Sequence, residues 1–299
     1  MGKALADAYP ICRETFSEAD AALGQPLSSL CFDGPADRLT LTENTQPAVL
    51  AVSIAAFRLL ASRGISPHFV AGHSLGEYSA NVAAQTFSFA EALRLVRRRG
   101  QYMQEAVPVG TGSMAAILGL DAETVAQACD EASQGDVVSP ANFNGPEQVV
   151  IAGARDAVAR ACERAKALGA RRAMPLPVSA PFHCALMKPA EDRLAPELHA
   201  LRARNPRMPV VANADAEPKR AAAAAIEALV AQVSSPVRWE AVVRRLASEG
   251  VTTYVEVGPG NVLAGLVKKI HREAAVANFA SPEDLAAVDA LLGQSATND

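Results

Sequence analysis

Several things are missing from these 299 residues, and each absence closes off a class of protein. No uncharged apolar run approaches the ~20 residues that a membrane-spanning helix needs. The opening stretch Met1-Gly2-Lys3-Ala4-Leu5-Ala6-Asp7 has no apolar signal core, so no secretory leader is expected. Ala6 also stands where a myristoylation signal would carry Ser or Thr. Basic excess is absent too: 28 Lys and Arg stand against 32 Asp and Glu, which argues against a nucleic-acid partner. The five cysteines (Cys12, Cys31, Cys129, Cys162, Cys184) form no CxxC pair and are odd in number. Reduced thiols in a cytoplasm are therefore expected, with neither a disulfide frame nor a metal site. Internal repeats are lacking, and the alanine run at 221–225 reads as a helix start rather than a linker. What remains is a globular composition, half hydrophobic and a fifth charged, long enough for one large domain or two smaller ones.

Against that background one motif stands out, Gly72-His73-Ser74-Leu75-Gly76-Glu77. A serine hydroxyl is a poor nucleophile unless the backbone presents it beside a base. In Gly-x-Ser-x-Gly the flanking glycines permit a sharp strand-to-helix turn that exposes the serine oxygen. The context agrees, because Phe69-Val70-Ala71 reads as a short strand and the residues from Ser79 continue as helix. The spacing of Val49, Val52, Ile54, Phe57, Leu59 and Leu60 predicts a buried helix over 45–63, started by Thr45-Gln46-Pro47. Helix, strand and helix in this order indicate a layered α/β domain.

Between 109 and 179 the pattern changes to β-α-β-β-α-β, the split ferredoxin-like unit, with the proline-bearing piece 173–178 as an edge strand. Beyond it, 184–204 reads as helix, 209–212 as strand and 251–257 as strand. Both ends of the chain then belong to the larger domain.

An activated serine needs a proton acceptor, and five histidines are available. His73 adjoins Ser74 and points to the opposite side of an extended backbone. His68 lies in a loop, and His199 and His271 sit in charged helices where solvent is the plain expectation. His183, in the turn Pro181-Phe182-His183-Cys184, is presented best, without the residues alone excluding the others. An α/β-hydrolase runs Ser, acid, then a late His, whereas His183 comes midway and no intervening carboxylate stands out.

The helix 89–106 adds a charged residue where none should be. At 100° per residue, Ala92, Leu95, Val96, Met103 and Ala106 share one side; Arg99 falls in the middle of it, Arg98 at its edge and Arg97 nearly opposite. A cation aimed into an apolar face is costly unless paired. Two partners are open: a buried carboxylate such as Glu77, or the free carboxylate of a substrate, which a guanidinium binds bidentately.

Together, Gly72-His73-Ser74-Leu75-Gly76-Glu77-Tyr78, Arg99-Gly100-Gln101-Tyr102-Met103-Gln104 and Pro181-Phe182-His183-Cys184 resemble the malonyl-CoA:acyl carrier protein transacylases. So do Gln232-Val233-Ser234-Ser235-Pro236-Val237-Arg238-Trp239 and Glu256-Val257-Gly258-Pro259-Gly260-Asn261-Val262-Leu263, and the resemblance covers nearly the whole chain. It implies an α/β fold: a hydrolase-like large domain with a parallel sheet (1–108 and 180–299) and an inserted ferredoxin-like small subdomain (109–179). It implies ping-pong transfer of a malonyl group from malonyl-CoA to the phosphopantetheine thiol of acyl carrier protein, with no cofactor. By similarity Ser74 and His183 are catalytic, as nucleophile and base. Arg99 binds the malonyl carboxylate, the Leu75 N–H donates to the oxyanion, and Gln232 orients the histidine in place of a triad acid. Leu75 and Phe182 resemble the malonyl-selective members rather than those taking a branched donor. Family members open with a strand and a Gly-Gln-Gly loop whose glutamine completes the oxyanion hole. Met1-Gly2-Lys3 resembles the stretch just after that loop, so a large domain short of that strand and that donor is expected.

Two other functions fit parts of the pattern: a thioester hydrolase unloading carrier proteins, which would have no use for Arg99, and a docking module with a vestigial site. The carrier protein, being acidic, is expected to dock on a basic rim drawn from Lys188, Arg202, Lys268, Lys269 and Arg272. No membrane partner is expected, a monomer is, and the pathway stays open between fatty acid and polyketide synthesis.

Overall fold

The computed structural model describes residues 1–178 and 180–295. Ser179 and residues 296–299, which the expected domain limits include, lie outside the described residues. Five helices come first: α1 (Lys3–Ala8), α2 (Pro10–Leu23), α3 (Leu27–Asp33), α4 (Ala36–Leu39) and α5 (Thr42–Ser62). Helix α5 starts before the expected Thr45, because Asn44 and Thr45 already donate their N–H groups to Leu41 and the Asn44 side chain donates to Arg38 O. It is the one described helix long and apolar enough to cross a bilayer by composition, and it packs instead against α2, α6 and α7. Its residues Leu50, Ala51, Val52, Ile54 and Ala55 lie in the main core.

The elements around the motif follow: β1 (Val70–Ala71), α6 (Leu75–Ala83) and α7 (Phe89–Ala106). Helix α7 matches the sequence expectation at both ends. Ser88 caps it, its hydroxyl accepting from Glu91 N while the Glu91 carboxylate accepts from Ser88 N, a capping box contributing about 1 kcal/mol. Packed against its neighbours, the helix buries Ala92, Leu95, Val96, Arg99 and Met103 together. Arg98 reaches outward to Glu197. Arg97, on the far side, is half-buried rather than solvated, since α2, α5 and α10 (Lys188–His199) all pack on α7.

The inserted unit has the expected order: β2 (Gly112–Leu118), α8 (Ala122–Ser133), β3 (Val138–Gly145), β4 (Gln148–Ala154), α9 (Arg155–Ala167) and β5 (Arg172–Pro175). Its antiparallel sheet runs β3-β4-β2-β5, and both helices cover it around Ile117, Val125, Ile151, Val158 and Ala161. Prolines sit where ladder donors are dispensable: Pro175 on the edge strand β5, and Pro140 beside a bulge in β3. The outer edge of β3 is tied to the larger unit, for Phe143 N donates to Val237 O and Val237 N to Ala141 O.

The chain then makes a 3₁₀ turn (Ala185–Met187) before α10, which ends at His199, short of the expected 204. It continues through β6 (Val210–Val211), β7 (Pro218–Lys219), α11 (Ala222–Gln232), α12 (Trp239–Ser248), β8 (Thr253–Val257), α13 (Val262–Ile270), β9 (Ala275–Phe279) and α14 (Leu285–Ser295). The expected parallel sheet is present in two pieces. β1 pairs in parallel with β6, which carries β7 antiparallel, and β8 pairs in parallel with β9. Among the described residues β1 and β8 each have a strand partner on one side only. All five cysteines are free and buried. Burial pushes the thiols of Cys12, Cys31 and Cys184 up to about 11 and that of Cys129 to about 12.

Candidate active site

Ser74 sits between β1 and α6 with φ 51° and ψ −108°, a conformation few non-glycine residues adopt and one that costs ~1–3 kcal/mol. The turn is tight enough that a Cβ on Gly72 would fall on the backbone of Gly76, so the first glycine of the motif is required. A Cβ on Gly76, by contrast, would meet open space, so the steric demand of the turn falls on Gly72. Leu75 opens α6, which leaves its N–H among the unshared donors at the helix amino end.

His183 faces the serine, its Nε2 2.6 Å from Ser74 Oγ. Its Nδ1 lies 3.0 Å from the main-chain carbonyl of Gln232. A carbonyl only accepts, so Nδ1 carries the proton and Nε2 is free to take one from the hydroxyl. The orienting group is thus the Gln232 backbone, not its side chain. His183 is 3 % exposed, and burial together with the nearby Arg99 cation lowers its pKa from 6.5 to about 3. An unfolded histidine takes up a proton near pH 6.5 while this one resists to about 3, so its contribution favours the folded state above 6.5 and is lost as pH falls from there. H183Q should remove that dependence. The Tm of the parent relative to H183Q is expected to drop between pH 7.5 and pH 5, and a pH-independent difference in calorimetry would contradict the assignment.

Arg99 is 2 % exposed and makes no ion pair among the described residues. Its Nη1 donates to Gln46 Oε1 at 2.8 Å, and its Nη2 to Ser74 Oγ and Gln232 Oε1, both at 3.1 Å. Tyr78 lies beneath the guanidinium, 5.3 Å from ring centre to Cζ. A buried cation held only by neutral groups, with Nε unpartnered, has room in its charge balance for an anion from outside. Glu77 does not supply it. That carboxylate, 1 % exposed, accepts from Asn213 N at 2.9 Å and Gln232 Nε2 at 2.7 Å. Burial lifts its pKa from 4.5 to about 7, against the pull of those two donors.

The structure brings Ser74, Leu75, Arg99, His183 and Gln232 to one place. It also adds three residues that the sequence reading did not assign to the site: Gln46, Asn213 and, as a support rather than a partner of Arg99, Glu77. Gln46 had one signal, a polar side chain inside an apolar helix. Asn213 had another, standing just past the carboxyl end of a strand. The remaining histidines lie apart from the reacting atoms. His73 hydrogen-bonds Asn144 Oδ1 at 2.8 Å and leans on Trp239, and His199 pairs with Glu227 on the surface. His271, expected in solvent, instead meets Tyr254 Oη at 3.2 Å because it ends α13 beside β8. No group of three or more potential metal ligands occurs among the described residues.

Comparison with known proteins places the chain in a lineage. The acyl transferase domain family matches residues 1–293. The malonyl CoA-acyl carrier protein transacylase of Escherichia coli K12 is 54% identical over 267 residues, 89% of this chain and 86% of that protein. The enzyme of the same name from Bacillus subtilis is 48% identical over 286 residues, 95% and 90% of the two chains. Among solved structures, an acyl carrier protein S-malonyltransferase from Vibrio cholerae superposes with a TM-score of 0.94 at 48% identity, covering 96% of this chain and 94% of that one. A malonyl-transacylase in complex with its type II PKS acyl-carrier protein gives 0.95 at 48% identity, covering 98% and 94%.

Proposed function

The chain belongs to the acyl transferase family, and from that premise we infer the following reaction for its cleft. The enzyme transfers a malonyl group from malonyl-CoA to the thiol of acyl carrier protein. His183 Nε2 takes the Ser74 proton as Oγ attacks the thioester carbonyl. The oxyanion that forms is met by the Leu75 N–H; one such donor contributes ~2.7–4 kcal/mol in other enzymes. The C–S bond breaks, the proton on His183 goes to the departing thiolate, and coenzyme A leaves a malonyl ester on Ser74. The carrier's phosphopantetheine thiol then gives its proton to His183, attacks the ester and restores the serine. Arg99 holds the malonyl carboxylate throughout, so the acyl group keeps one pose while donor and acceptor exchange.

The observation that carries this reading is Arg99 Nη2 at 3.1 Å from Ser74 Oγ, with His183 Nε2 on the same oxygen at 2.6 Å. Incubation with malonyl-CoA followed by mass spectrometry should find one malonyl group, on the peptide containing Ser74. An unmodified protein, or an adduct elsewhere, would sink the reading.

For the carrier's dock, α13 offers the best of the candidate cations. Lys268 and Lys269 fill its last turn, Arg272 follows, and none of the three makes an ion pair among the described residues. Lys188 is already held by Glu191 and Asp192, and Arg202 lies beside Glu91. K268E/K269E should raise KM for carrier protein about tenfold at low salt while leaving KM for malonyl-CoA unchanged, and the effect should shrink as salt rises. An equal effect on both substrates would move the dock elsewhere. The reading is completed by a monomer acting in the cytoplasm, a setting that suits five free thiols.

A further inference from the structure

We propose that Asn213 and Glu77 are positioning residues for the nucleophile, the first gripping the serine turn from both sides and the second locking that grip to the histidine's support. The inference rests on Ser74 being the nucleophile.

The argument begins with the sheet. β1 and β6 run parallel with Ala71 opposite Val211, so the next pairing along the ladder would fall where the chain leaves the sheet to make the Ser74 turn. In a parallel ladder one residue donates its N–H to the carbonyl before its neighbour and accepts the N–H after it. The Asn213 side chain does this with its amide. Nδ2 donates to Gly72 O at 2.8 Å, and Oδ1 accepts from Ser74 N at 2.7 Å. A side chain thus stands in for a strand across His73 and holds both peptide groups flanking it. The main chain of Asn213 is equally committed, its N–H to Glu77 Oε2 and its carbonyl to Arg238 N, and the residue is fully buried.

Glu77 closes the circuit. The oxygen that accepts from Asn213 N also accepts from Gln232 Nε2, which donates to Ser74 O as well at 2.9 Å. Gln232 is the residue whose carbonyl receives His183 Nδ1. One carboxylate oxygen therefore fixes the clamp on the nucleophile relative to the support of the base. A buried carboxylate without an ion-pair partner is expensive to keep, and here every bond it makes at Oε2 leads to the reacting pair.

The test separates placement from fold and from substrate binding. N213L removes both arms at nearly constant volume. Formation of malonyl-Ser74, followed by rapid quench, should slow about 50- to 100-fold with KM for malonyl-CoA changed less than about threefold, as for an ångström-scale misplacement. E77L should slow it at least about tenfold, whereas E77Q, which keeps an acceptor oxygen, should stay within about fivefold of the parent. The same ranking is expected with a fluorophosphonate, which needs the serine but no carboxylate site. Folded N213L and E77L acylating within threefold of the parent, or losing only affinity, would overturn the proposal. Should N213L not fold, N213S takes its place under the same thresholds. Failure of the parent to be labelled at Ser74 would overturn the site reading instead.

Discussion

R99A is expected to lose malonyl transfer by roughly 30- to 5,000-fold, the range that corresponds to ~2–5 kcal/mol for removing one member of a buried charge pair. The magnitude follows from the environment. Arg99 is buried, its partners Gln46, Ser74 and Gln232 are neutral, and a malonyl carboxylate entering the cleft without it would be desolvated with no cation to meet. A second effect runs the other way. Truncation takes away the Nη2 donor on Ser74 Oγ and the positive charge that adds to burial in holding His183 down, so the serine–histidine pair should become the better nucleophile for an acyl group without a carboxylate. The ratio of malonyl to acetyl transfer is therefore expected to fall further than malonyl transfer alone. Malonyl kinetics equal to the parent's would refute the assignment of Arg99, and a parallel loss with both donors would show a general structural role.

S74A and H183A should each reduce transfer by at least about 10⁴-fold, and the double variant should be no worse than either single one. The non-additivity is the informative part. Oγ and Nε2 share one proton at 2.6 Å, so removing either leaves the other without a task. S74A should also fail to release coenzyme A from malonyl-CoA, which distinguishes a covalent route from direct attack by the carrier thiol. An S74A protein that still transferred malonyl groups at a measurable fraction of the parent rate would exclude the ester intermediate.

The three charged or nucleophilic members of this site were legible because each breaks a local rule. Ser74 lies in a glycine-flanked turn, Arg99 is a cation in the middle of an apolar arc, and His183 is a histidine in a proline-bearing turn. Gln46 and Asn213 carry weaker signals, and in the sequence Glu77 points to Arg99 rather than to Asn213. Their work is done by hydrogen bonds to atoms more than fifty residues away, and no spacing within one segment reveals such a bond. The role of Gln232 shows the same limit, since sequence identifies a side chain but not that its carbonyl does the orienting. In the fold, α7 and the β-α-β-β-α-β order are legible in the sequence because their periods persist over many residues. β6 and β7 have two residues each and offer no period, so the strand expected over 209–212 is longer than the Val210–Val211 observed, and β7 has no counterpart in the sequence pattern. The helices before α5, the helices α12 and α14 and the strand β9 likewise have no counterpart in the sequence expectations.

Each turnover passes two free thiols through the cleft, the one released and the one that accepts. A cysteine beside the base would be a third recipient for the same acyl group, and Cys184 follows His183 directly in sequence. It is kept out of the chemistry by its surroundings. Its S–H donates to Pro181 O at 3.1 Å, and with a pKa of about 11 only on the order of one molecule in 10⁴ carries the thiolate at neutral pH. Sequestering its sulfur keeps the acyl group of a bound thioester from passing to the wrong atom.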